Sequence, residues 1–171
     1  RMARLRAVTG YKGAPDWTEG NIAPENDGIF TIDIESGKKK LLVSFARLQA
    51  ELEKKGVDTG GESLFINHTL WNRDGNLFCF FVRAGWKDSG NKAKRINEFC
   101  TINSDGSNLI VGHQFIGGHP EWGTGTQMIG RINDDQVIYD IIQEKIVGII
   151  GNPEVIPEPE GDISLSPDGK W

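Results

Sequence analysis

Two histidines and an aspartate stand at one register of this sequence: His68 in Asn67-His68-Thr69-Leu70-Trp71, His119 in Gly118-His119-Pro120-Glu121-Trp122, and Asp162 in Gly161-Asp162-Ile163-Ser164-Leu165. Two imidazoles and a carboxylate brought to one place can hold a divalent metal or move protons. Polar residues at strand starts also serve simply to bond neighbouring backbone and water, so the structural role stands beside the chemical one. A second cluster follows the first histidine. Arg83, Lys87, Lys92, Lys94 and Arg95 are set against one acid, Asp88. The chain has 19 Lys and Arg, 24 Asp and Glu, and a formal net charge of −5, so this local excess of cations is where a polyanion would be drawn. Trp86, in the same segment, offers a flat face for a sugar ring. Arg83, Trp86, Lys92 and Arg95 are the candidate contacts for a polyanion such as an acidic oligosaccharide, the alternative being a solvated tip with Trp86 tucked beneath it, and a surface this acidic overall does not suit nucleic acid.

Such residues act together only if the fold brings the repeats side by side. The segments 67–75, 118–126 and 161–169 align, with His68, His119 and Asp162 spaced by 51 and then 43 residues. A period of about 40 to 50 residues without helical patterning is that of a four-stranded propeller blade. Short β-rich runs agree: 76–83 after the hairpin signal Asp74-Gly75, 96–103 before Asp105-Gly106, 108–112, then 127–132, 136–142 and 145–150. The expected fold is all-β, part of a β-propeller of four-stranded antiparallel blades. Residues 5–44 would end one blade, 67–112 and 118–150 would form two more, and 161–171 would begin a fourth. One short helix interrupts this pattern: Ser44 caps it, Phe45, Leu48 and Leu52 form its apolar stripe, and Gly56 follows its end. In this order the second strand returns to the face where the first began, so the segment after Arg83 should emerge beside His68.

Further expectations come from single residues. Trp71 and Trp122 recur at one repeat position and should be core between blades, while His113, near an outer strand, should lie at the surface. Cys79 and Cys100, without CxxC spacing, should be buried apolar side chains. No apolar run approaches the roughly 18 to 20 residues of a membrane-spanning helix. Arg1 precedes Met2, and the sequence stops just after the turn at 166–169. That pattern suggests a fragment whose partners are the remaining blades and whose bare sheet flank favours self-association.

The phrases Ile29-Phe30-Thr31-Ile32-Asp33, Phe99-Cys100-Thr101-Ile102-Asn103 and Leu165-Ser166-Pro167-Asp168-Gly169-Lys170 resemble the repeats of TolB-like propellers. More narrowly, Gly118-His119-Pro120-Glu121-Trp122 resembles the blade start Gly-His-Glu-Phe-Trp of the oligogalacturonate lyase family. That resemblance implies a divalent metal, usually manganese, and metal-assisted β-elimination of uronate oligosaccharides. His119 would be a metal ligand. Glu160 and Asp162 stand where the family has His-Pro-His, and as oxygen donors they are compatible with Mn²⁺. Taken together with the shared register and the basic segment, this gives His68, His119, Asp162 and Glu160 at the metal, with Arg83 and His68 in the reaction. The alternative is a non-catalytic TolB-like propeller that binds a protein or glycan through the same face.

Overall fold

The computed structural model describes residues 15–85 and 95–169. The chain is mostly β and antiparallel. A hairpin of β1 (Gly28–Ile32) and β2 (Lys39–Ser44) leads into helix α1 (Phe45–Lys54). Two four-stranded sheets follow: β3 (Phe65–Trp71), β4 (Leu77–Ala84), β5 (Ile96–Asn103) and β6 (Ile110–Val111), then β7 (Gly117–Trp122), β8 (Gln127–Ile132), β9 (Asp135–Asp140) and β10 (Lys145–Ile149). Each of these sheets is a meander in which every strand pairs with its sequence neighbour. Among the described residues no helix is long and apolar enough to cross a membrane.

Local chemistry accounts for the elements. Ser44 Oγ accepts the Arg47 N–H at 3.1 Å and caps α1, whose Phe45, Leu48 and Leu52 are buried, and Gly56 takes φ 78° just past the end. In the β3–β4 turn the buried Asn72 accepts the N–H groups of Asn76 and Leu77, both at 3.1 Å, and Gly75 supplies φ 67°. Strand β4 is buried except at the half-buried Arg83, because both of its faces are covered. Phe78, Phe80, Val82 and Ala84 pack toward the hairpin and α1, while Leu77, Cys79 and Phe81 pack toward the β7–β10 sheet. A strand covered on both sides needs an unbroken apolar run, and Leu77 to Val82 supplies it.

Two expectations fail. Trp122 is fully buried between the two large sheets, but Trp71, at the same repeat position, is 46% exposed. Its ring rests on Phe78 at 4.9 Å between centroids and is otherwise open over nearly half of its surface. His113 is half-buried rather than simply at the surface. Its Nε2 lies 2.8 Å from Thr101 Oγ1 and its ring lies against Phe99, because the chain folds back over β5 after β6. Burial, chiefly, lowers its pKa to about 4.

Cys79 and Cys100 are buried as expected, and desolvation pushes both thiols up to about 12. Pro153 falls in a turn, Pro157 in a bend and Pro159 in chain without regular structure. Residues 162–166 have no ladder partner among the described residues, and the Gly169 N–H donates to Ser166 O at 2.8 Å. The strand expected at 5–9 lies outside the described residues.

Candidate functional site

The two histidines share an unusual backbone. The register of β3 against β4 shifts between Asn67 and Leu70, and that of β7 against β8 shifts between Gly117 and Glu121. Within these bulges His68 has φ 53° and His119 has φ 51°. A left-handed conformation costs a non-glycine residue roughly 1–3 kcal/mol, and such strain is concentrated at ligand sites. The bulges take both side chains out of the strand alternation and turn them toward each other. Trp122 Nε1–H donates to Leu70 O at 2.8 Å and holds β7 beside β3. The imidazole rings meet edge to face, with centroids 5.4 Å apart at 83°.

Asp162 joins them from the third repeat: its Oδ1 lies 3.0 Å from His119 Nδ1. Three features hold the segment that carries it. Glu160 is ion-paired with Arg131. Gly118 lets the backbone at Pro159 come so close that a Cβ would sit 2.5 Å from Pro159 O. Farther along, the Arg73 guanidinium donates to Leu165 O, Ser166 O and Pro167 O at 3.4, 3.1 and 3.2 Å. The three residues at one sequence register are thus brought together in space.

The pair His68 and His119 stands between two cavities. One, of about 230 Å³, is walled by Arg83, Phe115 and Glu160; the other, of about 290 Å³, by Thr69, Cys79, Glu121 and Asp162. His68, Phe81, His119 and Pro120 line both. Arg83 lies over the Phe81 ring at 5.1 Å, and its Nε–H donates to Asn97 Oδ1 at 2.6 Å, which fixes the guanidinium beside the histidines. Partial burial lowers the Arg83 pKa, yet an arginine stays charged in any protein setting. Burial first, then Arg83 and His119, lower the pKa of His68, with Asp162 acting in the opposite sense. The His68 imidazole is therefore neutral at pH 7.

The fit to a metal is poor. Asp162 faces His119, Glu160 faces Arg131, and the imidazoles are in ring contact. Among the described residues no three His, Cys, Asp or Glu side chains are grouped so as to hold a metal ion. Of the expected oligosaccharide contacts, Arg83 lines the cleft, Arg95 stands half-buried at the start of β5 and lines neither cavity, and Trp86 and Lys92 lie outside the described residues, as do Lys87, Asp88 and Lys94. The sequence reading missed Phe115, 43% exposed with its ring edge-on to Phe81 at 5.7 Å. It also missed Glu121 as a lining carboxylate and Arg131 as the partner of Glu160. Phe115 sits between elements in a stretch without periodicity, so no pattern marks it.

No family model, curated protein or solved structure matches. Function rests on the site itself.

Proposed function

We propose that the two large sheets are adjacent blades of a propeller and that the cleft at His68 and His119 binds an acidic oligosaccharide and cleaves it by β-elimination. The observation that carries this reading is the placement of the Arg83 guanidinium on one cleft wall with a neutral imidazole, His68, and a carboxylate-oriented imidazole, His119. Elimination needs these three parts. A uronate carboxylate pairs with Arg83, whose fork-shaped donors suit a carboxylate and offset the charge that develops on it as the α-carbon loses its proton. His68, being neutral, takes the proton from C5. The electron pair forms the C4–C5 double bond, the C4–O bond breaks, and the leaving oxygen takes a proton from His119 Nε2 while Asp162 holds Nδ1. Solvent then carries the proton gained by His68 back to His119. The products are an unsaturated uronate and a sugar with a free hydroxyl.

The donors are engaged with one another rather than grouped for coordination, so no step is routed through a divalent ion. Non-catalytic glycan binding at the same cleft is the second reading, since a wall of Arg83 and Phe115 suits an acidic sugar whether or not it is cleaved. The two separate in an assay for the unsaturated product. The lyase reading expects ultraviolet absorbance to grow on incubation with 1,4-linked uronate oligomers and to fall at least about 100-fold in His68→Ala, the usual scale for losing a general base. Activity should also decline as pH falls through the lowered His68 pKa. Binding with no absorbance change would establish the non-catalytic reading.

A further inference from the structure

One side chain outside the cleft touches all three repeats. Arg73 stands two residues after Trp71, in the turn between β3 and β4, and lines neither cavity. Its Nε–H donates to Trp122 O at 3.5 Å, three residues past His119, and its Nη groups donate to Leu165 O, three residues past Asp162, and to Ser166 O and Pro167 O beyond it. Three residues of extended chain span only about 10 Å. The guanidinium therefore ties the second and third repeats to the first a short way from the two residues that meet in the cleft.

The contact it serves is weak by itself. The His119 and Asp162 side chains are 59% and 91% exposed, and a pair so open to water does little to fix its own geometry. The Glu160–Arg131 pair anchors the chain on one side of Asp162, and Arg73 anchors it on the other. A planar fork of donors that meets three successive carbonyls fixes the direction of a backbone as well as its position, which one ammonium cannot do. Asp162, an acceptor when ionised, in turn keeps a proton on His119 Nδ1 and leaves Nε2 to face the cleft. Building on the reading above, we infer that Arg73 is a positioning residue: without touching the cleft, it sets where Asp162 meets His119, and through that contact which imidazole nitrogen is presented to the leaving oxygen.

Long-range proton–nitrogen NMR of the full chain at about pH 9, above the usual imidazole range, reads which His119 nitrogen carries the proton and needs no sugar. The native chain should hold it on Nδ1. Asp162→Ala should move it toward Nε2, and Arg73→Ala should move it about half as far or more while the Trp122 indole N–H, bonded to Leu70 O, stays protected from exchange. Arg73→Lys should fall between native and Arg73→Ala. In turnover of a 1,4-linked uronate oligomer, Arg73→Ala should lower kcat by about 10- to 100-fold, the scale of a small misplacement, and should add nothing to Asp162→Ala in the double variant. A native proton on Nε2, a proton unmoved in both Arg73 variants, losses that add in the double variant, or loss of the Trp122 protection as well would overturn the assignment, the last by making Arg73 a general structural residue. If Arg73→Ala does not fold, Arg73→Lys decides by the same criteria. No turnover by the native chain would overturn the lyase reading alone, with the NMR result still deciding the role of Arg73.

Discussion

The β3–β6 and β7–β10 sheets share strand order, a bulge in the first strand and a histidine in that bulge, yet they differ in what covers them. Strand β4 is buried on both faces, whereas Ile146, Val147 and Ile149 of β10 are exposed. The tryptophans show the difference at single-residue scale: Trp122 packs in the core between the two sheets and is sealed, and Trp71, at the equivalent position, is left nearly half exposed. A repeat encodes strand order and local backbone, while burial depends on the neighbour each copy meets. The largest effect should therefore separate these two residues. Trp122→Ala is expected to cost about 3–5 kcal/mol, as for a buried aromatic. Trp71→Ala should cost under about 1 kcal/mol, close to surface substitutions. Urea unfolding of both variants checks this, and equal losses would break the comparison.

A smaller effect should belong to the β3–β6 sheet. His113 stays neutral in the folded chain down to about pH 4, against 6.5 ordinarily. The unfolded chain binds this proton first as pH falls, so the His113 contribution is whole above about 6.5 and is lost between there and about 4. The urea midpoint of the native chain should accordingly fall more between pH 7 and pH 4.5 than that of His113→Gln, which does not titrate. Parallel declines would assign the pH response to carboxylates elsewhere.

Much of the architecture was legible because periodic features carry it. The helix from Ser44, the Asp-Gly turns and the apolar run in β4 each rest on a local rule that the fold obeys. The register of His68, His119 and Asp162 also predicted their meeting, since equivalent positions of side-by-side repeats lie next to one another. What could not be read depends on contacts between distant residues. Nothing at Trp71 announces its exposure, nothing at His113 announces the fold-back onto Thr101, and nothing at Phe115 announces a cleft wall. The bulges were hidden as well: a histidine at φ near 50° looks like any strand residue until the ladder is drawn. Side-chain direction was hidden too: a shared register does not say that Asp162 turns to His119 and Glu160 to Arg131.

The most direct test of the acidic-sugar cleft is calorimetric binding of a 1,4-linked uronate oligomer to the native chain and to Arg83→Lys at two salt concentrations. Binding should be measurable and should weaken as salt rises, because exposed parts of the contact are screened over about 8–10 Å at ~0.1–0.15 M. It should also drop about tenfold or more in Arg83→Lys, since a lysine keeps the charge but not the two parallel hydrogen bonds a guanidinium gives a carboxylate. Affinity unchanged by Arg83→Lys and indifferent to salt would contradict the account.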